Sequence, residues 1–441
     1  MFLESTISDI ENYPFLNPFR FENDPSKKYW HISTLESLLE ENWNSIEEGV
    51  TENREYLAAR EKIFSSSVFQ YFTDQKNRII QESLETDNSF QILGAYTCLL
   101  DSIVQTAFDY SFIDIPLIKE RLLEELNHEL NYKQKNLPEK KEKLTLLKEQ
   151  ILEMEKNLES GSSSSREYRY FQEVESQHES ETRVLEERIE ELQQLIPQIQ
   201  EFTNDKNFVL NHLVIFARGG YGRAELGLSS DRDLGYCLDT NRLNNGEAEM
   251  LRQLIVHIEN LLRNSGVETA HQYFEIDEDL SRFDEVNTLH TIPSILESRV
   301  LLGSESLATN LKNRFFQVIT FEPYVLNLVR SFSESKEPEL NRMDLKMDYG
   351  GLRSLQIPLW ITAATFGIFP SQTADLLAFL IQKHLLSHRQ ALKLCQALEF
   401  LHDLRNFSAV AKEHYFDDEA RDIGCVQENL LQDQLNDSLE R

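Results

Sequence analysis

Cysteine, basic charge and long apolar runs are all scarce in this chain. Its four cysteines, Cys98, Cys237, Cys395 and Cys425, lie far apart with no Cys-x-x-Cys pair. They read as reduced core or surface thiols of a cytoplasmic protein. No stretch approaches the roughly 20 apolar residues that a membrane helix needs, so no membrane partner is expected. The N-terminus has no basic region followed by an apolar one, so no secretory signal is expected. Lys and Arg number 44 against 75 Asp and Glu, a net charge of −31 over 441 residues. That disfavours nucleic acid as a partner, because a phosphate backbone attracts clustered cations. A local basic site can still sit on an acidic body.

What is present is enough for several packed domains. Hydrophobic residues make up 40% of the chain, which excludes a disordered polymer despite 27% charged residues. Phe15 to Phe21 reads as an irregular, proline-broken aromatic arm. From Asn53 to Tyr110, apolar residues recur at helical spacing, as in Ile92, Leu99, Ile103 and Phe108. The stretch 116–204 changes character. Leu144, Leu147, Ile151, Met154 and Leu158 form one heptad seam, and Leu185, Ile189, Leu192, Ile196 and Ile199 form another. The low-complexity turn Gly161–Ser165 lies between them. The pattern predicts an antiparallel coiled-coil hairpin, interrupted or kinked at Pro138. Its seam could close within one chain or drive dimerisation, and the arm could serve as a docking lever or as a solvated spacer.

The next segment reads as a small α/β unit. His212–Ala217 is a short apolar run ended by glycines, Leu234–Leu238 and Val267–Phe274 are further strands, and Asn245–Asn264 is an amphipathic helix stopped at Ser265-Gly266. After Thr291 the pattern is helical to the end. The fold expected is α+β and mostly helical. It comprises an N-terminal helical region (1–115), the hairpin (116–204), a small mixed-sheet core (205–305) and a C-terminal helical domain (306–441).

Chemistry concentrates between the first two strands, in Arg218-Gly219-Gly220-Tyr221-Gly222-Arg223 and, further on, Ser230-Asp231-Arg232-Asp233. Glycines after a strand let the backbone approach a triphosphate, and Arg223 offers a cationic fork for phosphate. Asp231 and Asp233 open the next strand, where residues two apart share a face. Two carboxylates on one face supply hard oxygen ligands for a divalent ion. Either half alone is common. Together, in this order, they point to a nucleotidyltransferase site.

This constellation resembles the bacterial protein-PII uridylyltransferases and related nucleotidyltransferase-like proteins. Four further segments extend the resemblance. Gly266-Val267-Glu268-Thr269-Ala270-His271 is similar to the family's third-strand segment. Ile295–Gly303 is similar to its Leu-Leu-Glu-Ala-Arg-Leu-Leu-Ala-Gly helix. Leu345-Lys346, then Gly350-Gly351-Leu352-Arg353-Ser354-Leu355-Gln356, then Leu359-Trp360, is similar to its Val-Lys-x-x-Pro-Gly-Gly-Leu-Arg-Asp segment. Leu99–Val104 echoes the helix that precedes the catalytic domain. The resemblance implies transfer of a nucleoside monophosphate from UTP to a tyrosine hydroxyl on a small signalling protein, with Mg²⁺ and release of pyrophosphate. It places Gly219, Gly220 and Gly222 around the triphosphate, with Ser230 positioning the loop. It gives Asp231 and Asp233 to the metal, and Lys346 and Arg353 to phosphates. The acceptor would be PII-like or another signalling protein.

The chain also departs from the family pattern. Ala224 and Ala270 stand where glycine is usual, Tyr349 where proline is usual, and Ser354 where aspartate is usual. No third carboxylate is evident, with Glu268 and Glu275 the nearest candidates. These departures keep a second reading open, a non-catalytic nucleotide-binding regulator with an interaction arm. His402-Asp403 reads as a surface pair on a helix, and neither a phosphohydrolase nor a sensor domain is expected after it.

Overall fold

The computed structural model describes residues 53–85, 89–159, 165–228, 230–276, 291–318, 321–333, 344–346, 350–368 and 372–415, with 35, 37–39, 42 and 370. The aromatic arm at Phe15–Phe21 and most of the Gly161–Ser165 turn lie outside the described residues.

Two long helices, α1 (Asn53–Glu85) and α2 (Ser89–Ile113), pack against each other. They are followed by α3 (Ile115–Glu159) and α4 (Ser165–Glu201), then the short α5 (Lys206–His212). The core is built from β1 (Leu213–Ala217), the single turn α6 (Gly219–Gly222), β2 (Arg232–Leu238), α7 (Asn245–Asn264), β3 (Thr269–Glu275), α8 (Thr291–Leu296) and β4 (Arg299–Gly303). Helices α9 (Glu305–Val318), α10 (Phe321–Ser333), α11 (Leu352–Phe366), α12 (Thr373–Gln382) and α13 (His388–Tyr415) complete it.

The sheet order is β3-β2-β1-β4. β1 pairs antiparallel with β2 and with β4, while β2 and β3 run parallel. β1 is buried on both faces, which explains its unbroken apolar run. Leu213, Ile215 and Ala217, with Leu234, Tyr236 and Leu238, join the core formed with α2 and α7. Val214, Phe216, Cys237 and Phe274 face the opposite way, onto α8, α9, α10 and α11. A third cluster knits α11, α12 and α13 together and includes Leu93 of α2.

The segment Arg299–Gly303 differs from the helix expected there: it is the edge strand β4. Its apolar residues also suit helical spacing, so local pattern does not decide. Pairing with β1, from Val214↔Gly303 to Ala217↔Arg299, does. Gly303 has φ +91, and a Cβ there would lie 1.9 Å from the Leu213 carbonyl oxygen, so only glycine closes this ladder.

Helices α3 and α4 lie antiparallel along each other within one chain. Cross-helix pairs tie them: Lys140–Glu181 at 2.7 Å, Lys148–Glu179 at 3.0 Å and Arg188–Glu129 at 3.1 Å. α3 is one helix through Pro138, so of the kink or interruption expected there the interruption does not occur. The root of the hairpin is part of the main core. Leu192, Ile196 and Ile199 are buried there with α7. The Gln198 side chain accepts from the Gly246 amide at 2.9 Å, and a Cβ on Gly246 would meet Gln198 Cβ at 2.5 Å.

Candidate functional site

The site begins where β1 ends. Gly219 takes φ +55, and a Cβ there would lie 3.1 Å from Asp233 Oδ2, so glycine leaves room for the carboxylate. The chain then makes one helical turn and reverses at Ala224, whose φ of +59 is the left-handed region. That geometry is why glycine suits position 224, and alanine there carries roughly 1 kcal/mol of strain. Gly219 and Gly220 line a pocket of about 340 Å³. Gly222 is not among its lining residues. A Cβ on Gly222 would lie 2.8 Å from the Ala217 carbonyl and 3.0 Å from that of Glu297, so this glycine serves close packing.

Ser230, Asp231, Asp233, Lys346 and Arg353 also line the pocket. The structure therefore brings together eight of the nine residues singled out in the sequence, with Gly222 behind them. Asp233 is the second residue of β2 and two-thirds buried, whereas Asp231 just precedes the strand and is largely exposed. Lys346 Nζ lies 3.9 Å from Asp231 Oδ2. Arg223 touches the pocket, yet its guanidinium does not present the open phosphate fork expected of it. Its Nε donates to Glu225 at 2.7 Å and its Nη1 to Glu297 at 2.8 Å, and all three side chains are buried.

Residues outside the glycine loop and the Asp-x-Asp pair complete the site. Trp360 on α11 donates to Glu297 at 2.8 Å, and Thr373 on α12 donates to Glu225. The Arg353 guanidinium lies over the Trp360 ring, 4.8 Å from its centroid. On α13, His402 and Arg405 line the pocket, and Asn406 accepts from the Leu228 amide at 3.2 Å, holding the loop that leads to Ser230 and Asp231. His402 is 2% exposed and lines the pocket, so this member of the expected surface pair is buried in the site, while Asp403 is not among the lining residues. The signal available was spacing: positions 402, 405 and 406 share one helical face. Arg218 and Gln272 complete the wall beside Asp233, Gln272 accepting from Arg218 Nη1 at 2.7 Å. No cluster of three acidic, histidine or cysteine ligands occurs among the described residues. Gln272 faces the pocket from β3, and neither Glu268 nor Glu275 is among its lining residues.

Acids and cations act on one another across this one pocket. Burial pushes the Asp233 carboxyl above its ordinary range, with Asp231 adding to the rise and Arg218, Lys346 and Arg353 opposing it. Across from it, burial lowers Lys346, helped by the like charges of Arg353 and Arg405. Burial also lowers Arg353, to about 10, again with neighbouring Arg223 and Arg405. Arg405 is lowered by burial and partly restored by Asp344 and Asp231. Cations crowded against one another while partly desolvated are stabilised by a multiply charged anion. Beneath them burial raises both Glu225 and Glu297. Arg223 prevails at Glu225, which ends below its ordinary value, and burial prevails at Glu297. Burial drives His402 down to about 4, so it is neutral at pH 7.

Residues 330–414 match the family model described as GlnD PII-uridylyltransferase. This stretch supplies Lys346, Arg353, Trp360, His402 and Arg405 to the pocket. The chain is 30% identical over 165 residues to a bifunctional uridylyltransferase/uridylyl-removing enzyme of Zymomonas mobilis, covering 36% of this chain and 17% of that one. It is 30% identical over 206 residues to the enzyme of the same description from Ectopseudomonas mendocina, covering 44% and 21%. A third, from Azospirillum brasilense, is 30% identical over 160 residues, covering 33% and 16%. The similarity therefore spans about a fifth of these relatives' length. Over that span the chain is a nucleotidyltransferase-like relative of uridylyltransferase enzymes.

Proposed function

We propose that this pocket binds a nucleoside triphosphate, UTP by likeness to the relatives, and transfers its nucleoside monophosphate to a hydroxyl of an acceptor protein. The acceptor oxygen bonds to the α-phosphorus, the bond from that phosphorus to the bridging oxygen breaks, and pyrophosphate leaves. The hydroxyl proton is released. The observation that carries the reading is the gathering, in one pocket, of the Asp231/Asp233 pair and the cations Lys346, Arg353 and Arg405.

The residues fit a divalent ion. Asp231 and Asp233 are hard oxygen donors, and the missing side chain at Gly219 leaves space against Asp233 Oδ2. Mg²⁺ held there would stabilise charge on the phosphates. The chain's own groups do the rest. Gly219 and Gly220 let the phosphates approach the backbone. Lys346, Arg353 and Arg405 hold the outer phosphates and offset charge on the departing pyrophosphate. Asn406, through the Leu228 amide, keeps the aspartate loop in place. The acceptor is a PII-like or other signalling protein, recruited by the α3–α4 arm, in the cytoplasm. A second reading, a regulator that binds nucleotide without turnover, is favoured by one observation: Arg218, held by Gln272, faces Asp233, and no group of three metal-ligating side chains occurs among the described residues.

Calorimetric titration of UTP with MgCl₂ tests the pocket. We expect saturable heat for the wild type. Arg405→Ala should weaken binding roughly ten-fold or more, as loss of a charge-assisted contact does. The difference should shrink as NaCl rises. Equal affinity for the two proteins at low salt would remove Arg405 from the phosphate site.

A further inference from the structure

Arg218 stands in an unusual place for a cation, directly beside a carboxylate that is read as a metal ligand. Its guanidinium is fixed on two sides. Nε donates to the Leu234 carbonyl at 3.1 Å, and Nη1 donates to Gln272 Oε1 at 2.7 Å. The third nitrogen, Nη2, faces Asp233 Oδ1 at 3.8 Å. The arginine side chain is only 8% exposed, so water screens little of this charge. Its position follows from the fold. Residue 218 caps the turn after β1 and its amide donates to the Asp233 carbonyl at 2.9 Å, so the two residues are neighbours across the ladder. The parallel register Gly235↔Gln272 brings the Gln272 amide to the same face as Asp233.

We propose that Arg218 is a built-in counter-ion for Asp233, which keeps the carboxylate pair from holding a divalent cation until nucleotide phosphates arrive with it. This rests on the nucleotidyltransferase reading of the pocket. With the guanidinium 3.8 Å from Asp233 Oδ1 and a metal–oxygen distance of about 2 Å, an ion held by this carboxylate would be on the order of 6 Å from Arg218. Even with bulk-water screening, a single positive charge repels a doubly charged ion at that distance by enough for roughly a ten-fold loss of affinity. Phosphate oxygens change the balance, because they bring negative charge to the ion and can accept from Arg218 directly. Gln272 sets the geometry. A neutral amide anchors the arginine without cancelling its charge, where a carboxylate would do both.

The test is Mn²⁺ binding to the nucleotide-free full chain, read by the electron paramagnetic resonance signal of free Mn²⁺. Wild type should bind weakly and Arg218→Lys, which keeps the charge, should match it. Arg218→Met should bind about ten-fold more tightly or better, and Arg218→Met/Asp233→Asn should lose that gain. Arg218→Gln, which removes the charge but keeps an amide that can donate to the Leu234 carbonyl and Gln272, should also bind more tightly, and it decides the matter if Arg218→Met does not fold. No gain in Arg218→Met or, failing that variant, in Arg218→Gln would overturn the proposal, including the case where no protein binds Mn²⁺. Failure of the pocket reading is separate: it would show as absent UTP heat in the wild type.

Discussion

Replacing Arg223 by methionine separates two roles for one arginine. As a phosphate ligand, Arg223 would lower nucleotide affinity when removed and leave the fold intact. The structure places it instead between Glu225 and Glu297, at 2.7 and 2.8 Å, with all three side chains 7% exposed. Those acids are anchored by Thr373 and Trp360, on two other helices. Arg223→Met therefore strands two buried carboxylates facing each other. Breaking a buried pair by removing one partner costs about 3–5 kcal/mol. At roughly 2–4 °C per kcal/mol for a sizeable domain, the melting temperature should fall by about 6–20 °C. Circular dichroism against temperature reads this directly. The triple variant Arg223→Met/Glu225→Gln/Glu297→Gln should recover much of the loss, because no charge is left unpaired. A melting temperature within about 2 °C of wild type for Arg223→Met, with nucleotide affinity lost, would refute the reasoning and return Arg223 to the phosphates.

Two other predictions follow from the fold around the pocket. His257 on α7 is buried between Glu61 at 3.3 Å and Asp114 at 3.4 Å, themselves paired with Arg121 and Arg60, and its pKa is raised by those two acids against the pull of burial. A raised folded pKa gives stability that is complete below the unfolded value, about 6.5, and is lost as pH rises through the folded value. The melting-temperature gap between wild type and His257→Gln should therefore narrow from pH 6 to pH 9, and a gap that widens would contradict this. Replacing the distal hairpin, 136–182, by a short Gly-Ser turn should spare UTP binding, since the root residues Leu192, Ile196 and Ile199 remain in the core. The same protein should lose acceptor labelling, and retained labelling would rule the arm out as the recruiter.

The sequence was most legible where chemistry needs adjacent residues. A glycine loop after an apolar strand, followed by Asp-x-Asp opening the next one, can be read without knowing the fold. The pocket joins those residues to Lys346 and Arg353. Less legible was whatever depends on long-range packing. Gly222 looks like its neighbours 219 and 220, and only the approach of the Ala217 and Glu297 carbonyls separates it from them. Arg223 looks like a phosphate fork until Glu297, far along the chain, is folded against it. β4 fits a helical pattern until β1 supplies its ladder. His402 and Arg405 are ordinary polar residues of a helix, and become pocket residues because α13 packs against α2 and the Leu228 loop. The left-handed backbone at Ala224 gives a physical meaning to a departure noticed in the sequence alone.

The central claim is that Asp231 and Asp233 support nucleotidyl transfer to a protein. The direct measurement incubates purified protein, MgCl₂ and each α-³²P-labelled nucleoside triphosphate with a lysate of the source organism, beside an Asp231→Ala/Asp233→Ala variant. The account predicts a labelled protein band, strongest with UTP, that is absent with the variant. No transfer from any nucleotide, while Mg-nucleotide still binds tightly, would contradict it and leave the regulator reading in its place.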